Sequence, residues 1–109
     1  MKYIVTVTAN GECSQMGFNG DPELEQLQSL VGGYIEMAHT HIPNVVMLMN
    51  EEAKLECLPE NAVATKAYKY GEHDSIRGNV AFMLLDEDSL KGFTPLEALW
   101  IQTMLGYMV

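Results

Sequence analysis

His39 and His41 stand two residues apart, the spacing that turns both imidazoles to one face of an extended strand, where they could share a metal ion. His73-Asp74 could add further ligands, and a small metal-dependent enzyme built on His39, His41 and His73 is one functional reading. A zinc site needs three or four convergent ligands, and the pair also suits the end of a helix, where an imidazolium favours the negative end of the dipole, so no metal ligand is assigned. Cys13 lies in a polar stretch where a thiol could react, whereas Cys57 sits among apolar neighbours and reads as a small buried hydrophobe. Neither cysteine has a histidine close in sequence to act as its base. Glu51-Glu52 and Asp86-Glu87-Asp88 could hold a hard cation but lack the spacing and glycine of a calcium loop. Arg77, the chain's single arginine, suits a salt bridge, a carbonyl cap or a grip on a carboxylate or phosphate. These residues compose no catalytic set, and no phosphate-binding glycine motif occurs, so neither a catalytic residue nor a cofactor is expected.

Charge narrows the partners. Fifteen acidic residues oppose six basic ones, for a net charge of -9 and a pI near 4.5. Such a chain repels phosphate backbones and anionic membrane surfaces, so direct nucleic-acid binding is not expected. The same charge opens a second reading, an acidic, DNA-mimic-like inhibitor of a host DNA-acting defence enzyme, although its carboxylates are scattered rather than ranked in rows. At 109 residues and 48% apolar content the chain suits one domain and excludes disorder. It holds no apolar run of the roughly 20 residues a membrane helix needs. The start, Met1-Lys2-Tyr3-Ile4-Val5, lacks a signal-peptide core and reads as a strand, and two cysteines build no disulfide framework, so a cytoplasmic location is expected.

The elements follow from pattern. Residues 2–8 are rich in β-branched and aromatic side chains and predict a strand. Residues 9–20 hold Asn10-Gly11 and Asn19-Gly20 and predict a loop with room for a short strand around Ser14–Phe18. Residues 21–39 predict an amphipathic helix with Asp21 as N-cap, Pro22 at its first position and Leu24, Leu27, Leu30, Val31, Tyr34 and Ile35 on its apolar face. Residues 45–49 and 79–85 read as strands buried on both faces, 55–57 as a short strand returning in a hairpin, 61–68 as a short helical stretch and 86–92 as a loop. Thr94, Pro95 and Glu97 form a capping-box start for a last helix over 95–107. The expected fold is therefore α+β, a mixed, largely antiparallel sheet of about four strands with two main helices packed on one face of it.

Two features of that layout suggest surfaces. Gly32-Gly33 would each cost a helix interior about 1 kcal/mol. They fall opposite the apolar face with Ser29 and Glu36, so Ser29, Gly32, Gly33 and Glu36 form a candidate docking surface of bare backbone, the alternative being a kink or a covering loop. From Leu96 to Val109, ten of fourteen residues are apolar or aromatic and spread beyond one helical face. A helix of that kind should be covered on more than one side, which makes Trp100, Ile101, Met104 and Met108 a candidate homodimer interface.

Several segments in order resemble a known family: Leu27 to Glu36 with its Val31-Gly32-Gly33-Tyr34-Ile35-Glu36 core, Met49 to Leu55, Leu58 to Ala62, Ile76 to Val80, and Phe93 to Leu96. Together they are similar to domain of unknown function family 3846, small proteins of bacteria, phages and mobile elements. The resemblance implies no activity and no catalytic residue. It implies a context, a small intracellular accessory protein encoded on phage- or plasmid-derived DNA, and hence the leading reading, a non-enzymatic interaction factor.

Overall fold

In a computed structural model, described over residues 1–107, the chain runs β1 (Lys2–Val7), β2 (Cys13–Phe18), α1 (Leu24–Val31), β3 (Ile35–His39), β4 (Val45–Asn50), α2 (Ala62–Ala67), β5 (Val80–Asp86), β6 (Ser89–Lys91) and α3 (Pro95–Gly106). The strands form one sheet in the order β2-β1-β5-β4-β3, with β6 also pairing β5. Every pair is antiparallel. The α+β expectation holds, but the sheet has six strands rather than about four and is not mixed. None of the described helices is long and apolar enough to cross a membrane.

The helices lie on opposite faces of the sheet, not on one. Strand side chains alternate between faces. Val5, Val7, Met47 and Phe82 point to the side where α2 and α3 contribute Val63, Ala64, Ala98, Ile101 and Leu105. Ile4, Leu48, Ala81 and Met83 point to the other side, where Leu27 of α1 covers them. Central strands covered on both faces are apolar almost throughout, and every residue of β4 is buried, all of them apolar but the last, Asn50.

The largest correction concerns residues 21–39. The helix ends at Val31, and residues 35–39 are a strand. Gly32 is its left-handed cap, at φ 82°, and its N–H donates to the Gln28 carbonyl. That conformation is open to glycine and strained for any residue with a Cβ, so the glycine pair stops the helix rather than interrupting it. The apolar positions 34 and 35 fit a 3.6-residue period by coincidence. Ile35 belongs to the alternation of β3 and packs on the same face as Leu48. Nor is Asp21 the N-cap: the helix begins after Glu23, whose N–H donates to the Gln26 side chain, and the Asp21 carboxylate instead accepts the Gly92 N–H.

Two smaller expectations also change. Residues 55–57 form no returning strand: the chain turns repeatedly from Glu51 to Cys57, Leu55 is exposed, and Cys57 adopts φ 55°. The stretch 86–92 contains β6, which turns back on β5 through Glu87 at φ 55°. The strand suspected near 14–18 is present as β2, and the capping box at Thr94 starts α3, Thr94 Oγ1 accepting the Glu97 N–H and the Glu97 carboxylate accepting the Thr94 N–H.

One buried polar side chain joins the layers. Asn61 is fully buried. Its Oδ1 accepts the Ala64 N–H and caps α2, while Nδ2 donates to the carbonyls of Val7 and Gly78, each at 3.0 Å. Asn61→Ala should therefore lose a cap worth about 1 kcal/mol and leave two buried carbonyls short of a donor, about 3 kcal/mol in all, read as a lower urea midpoint at unchanged slope. Gly32 tests the helix end by sign. Gly32→Ala should destabilise by about 1 kcal/mol, because the cap needs a left-handed residue, where a helix interior would gain about as much. Urea denaturation of the single variant decides.

Candidate functional site

The capping box and Pro95 fix where α3 begins, and packing decides which of its sides meets the sheet. Ala98, Ile101 and Leu105 point inward onto Val5, Val7 and Phe93, with Met104 partly buried beside them. At 3.6 residues per turn the opposite side then carries Leu96, Leu99, Trp100, Thr103 and Tyr107. Leu96 is 76% exposed, Leu99 56%, Trp100 52% and Tyr107 83%. Glu97 is the one charged residue within the helix. Gln102 ties the helix to the neighbouring edge strand, Nε2 donating to the Cys13 carbonyl and Oε1 accepting from the Gln15 amide. Trp100 also borders a cavity of about 340 Å³ whose walls include Ile42, Pro43, Leu84 and Phe93.

The expected interface on this helix is thereby revised. Trp100 is at the surface, but Ile101 is 1% exposed and belongs to the core, so it is not free to meet a partner. Met104 is half-buried against the same core, and Met108 lies outside the described residues. Leu96, Leu99 and Tyr107 take their place. Periodicity could not have found them, since apolar residues occupy every side of this helix and the choice of buried side rests on packing.

The second candidate surface is divided. Ser29 and Gly32 line a cavity of about 450 Å³ at the C-terminal end of α1, while Glu36 lies on β3 and lines a different cavity of about 250 Å³. Gly33 is half-buried with the Asn50 side chain against it, 3.1 Å from where a Cβ would sit. These four residues share no helix face. Asn50, buried at the end of β4, organises the region: Nδ2 donates to the Gly32 carbonyl and the Glu56 carboxylate, and Oδ1 accepts the Glu52 N–H.

Other titratable candidates are likewise separated. His39 lies on β3 rather than at a helix end and borders the 250 Å³ cavity, His41 borders another cavity with Thr65 and Glu72, and His73 is exposed. Among the described residues no three His, Cys, Asp or Glu side chains are placed to hold a metal ion. Arg77 caps a backbone carbonyl, Nη1 donating to Leu58 at 3.1 Å. Lys54 pairs with Asp74, and that hydrogen bond draws the carboxyl below its usual range; Lys91 pairs with Asp86 at 2.9 Å, which holds its ammonium above the usual lysine range. All fifteen carboxylates are exposed. Two groups of them follow strands at opposite ends of the sheet. Asp86, Glu87 and Asp88 follow β5 at one end, and Glu51, Glu52 and Glu56 follow β4, antiparallel to it, at the other.

A family model described as Domain of unknown function (DUF3846) matches residues 1–105. The chain belongs to this family. No curated protein and no solved structure matches it. The segments quoted from the sequence now have places in the DUF3846 fold: Val31 to Glu36 is the helix stop and the start of β3, Met49 to Leu55 leaves β4 through Asn50, Leu58 to Ala62 brings in Asn61, and Phe93 to Leu96 caps α3.

The two cysteines exchange their expected environments. Cys57 is exposed in a turn, while Cys13 is half-buried on β2, where burial raises its pKa against a smaller lowering by the Gln102 hydrogen bond. Iodoacetamide at pH 8 should accordingly alkylate Cys57 well before Cys13, as read by mass spectrometry of the intact chain and its peptides.

Proposed function

We propose that this DUF3846 protein is a small interaction factor that works by presenting the outer face of α3 to another protein surface, in the first place that of a second copy. The observation that carries the reading is the exposure of Leu96, Leu99, Trp100 and Tyr107 on one side of a helix whose other side is already spent on the core. Contiguous apolar exposure of this kind marks association surfaces, and tryptophan and tyrosine are the side chains that most often dominate them. The net charge of -9 supports a protein partner over a nucleic acid. The context implied by the family resemblance, an accessory protein of phage- or plasmid-derived DNA acting in the cytoplasm, agrees with a chain whose role is to bind. The acidic-inhibitor reading draws less support, because the carboxylates are divided among α1, α3, β3 and the two ends of the sheet and make no continuous row.

Trp100 is the single tryptophan of the chain, so tryptophan emission excited selectively over the five tyrosines reports on this face alone. On raising the protein concentration the emission should shift to the blue as Trp100 leaves water, in step with a doubling of mass in light scattering. Leu96→Glu with Trp100→Glu should abolish the mass increase and lower the urea midpoint of the monomer only modestly, since Leu96 is largely exposed and Trp100 about half so. Concentration-independent mass together with unshifted emission would remove self-association from the proposal.

A further inference from the structure

The two edges of the sheet are treated differently. At the β3 edge, His39 and the residues after it are covered by the chain itself: Lys69 N–H donates to the His39 carbonyl and His41 N–H to the Ala67 carbonyl, and Glu36 adds a charge. Among the described residues the outer backbone groups of β2 have only the Gln102 side chain for cover, at the Cys13 carbonyl. The six residues of β2, Cys13 to Phe18, contain no charge and no proline, and they pair one-to-one with β1 without a bulge. Charge, proline and bulges are the devices by which proteins blunt an edge.

The ladder shows which groups are free. Tyr3 exchanges both backbone hydrogen bonds with Phe93, so the odd residues of β1 turn their backbone groups toward β5 and Phe93, and the even ones toward β2. Their partners Ser14, Met16 and Phe18 are thereby used. Cys13, Gln15 and Gly17 turn N–H and C=O outward. The Cys13 carbonyl accepts from Gln102, and the backbone groups of Gln15 and Gly17 have no protein partner among the described residues. Leu99 and Gly106, one turn either side of Gln102, are exposed on the helix flank that adjoins this strand.

We propose that β2 pairs antiparallel with β2 of a second copy, continuing the sheet across a two-fold axis and bringing the α3 helices together beside the joint. The proposal rests on the reading of α3 as an association face and extends it to the edge. Gln15 of each copy lies opposite Gly17 of the other and takes up the free backbone groups, while the Met16 side chains meet at the axis. Area argues for the strand: a stable interface covers about 800 Å² on each partner, more than one side of a helix roughly 18 Å long supplies. Charge argues for a second copy. A basic partner would be drawn to the carboxylates at the strand ends, whereas another molecule of net charge -9 is repelled there and meets no like charge on β2.

The test uses the full chain in a Cys13→Ser, Cys57→Ser background. Met16→Cys should cross-link to a covalent dimer under mild oxidation, and Ser14→Cys, two residues from the axis, should not. Gln15→Pro removes an N–H that the monomer does not use and should convert the dimer to a monomer in light scattering. If Gln15→Pro fails to fold, Met16→Lys serves in its place, a lysine on the open edge giving the same loss. A dimer lost in Trp100→Glu but retained in Gln15→Pro, without a Met16 cross-link, would overturn the strand pairing and leave the α3 reading in place. A monomer at all concentrations would overturn both.

Discussion

The side chain of Asn61 is the contact on which the arrangement of layers depends. A buried amide stripped of partners is costly, and this one is satisfied by groups from three parts of the chain: the end of β1 at Val7, the approach to β5 at Gly78 and the first turn of α2 at Ala64. A second asparagine, Asn50, does similar work one layer away, joining the end of α1 to the exit from β4. Apolar packing holds the sheet to its helices without direction. These two amides supply direction, since each has one orientation that meets all its partners.

With helices on both faces, the sheet uses up its apolar positions. β4 and most of β5 are sealed, α1 gives Leu27 and Val31 to the core, and α2 gives Val63, Ala64 and Ala67. α3 is the exception, because it has apolar side chains on more sides than the sheet can cover. The surplus of Leu96, Leu99, Trp100 and Tyr107 stays exposed, Leu99 on the flank toward the uncharged edge strand and Trp100 on the other flank beside Ile42 and Leu84.

Elements with strong local rules were legible from sequence. Thr94-Pro95-x-Glu97 marks the start of α3 by its own hydrogen bonds, the apolar runs at 45–49 and 79–85 can only be covered strands, and the density of β-branched residues declares β1. The segment 21–39 misled because helix and strand periods overlap over so short a span. Leu27 and Val31 obey the first, Ile35 the second, and Gly32-Gly33 carries the boundary between them. A glycine pair reads equally as a flaw in a long helix or as the end of a short one until the backbone shows a positive φ.

Composition and local pattern by themselves determined the acidity, the α+β class, the family and the presence of an over-apolar last helix, because each is a property of consecutive residues or of their sum. Tertiary structure alone decided that α1 and α3 lie on opposite faces, that Ile101 is core while Leu99 is surface, and that Ser29 and Glu36 part company. Those outcomes depend on which strand lies beside which, and strand order is set by contacts between residues far apart in the chain, about which neighbouring residues carry no record.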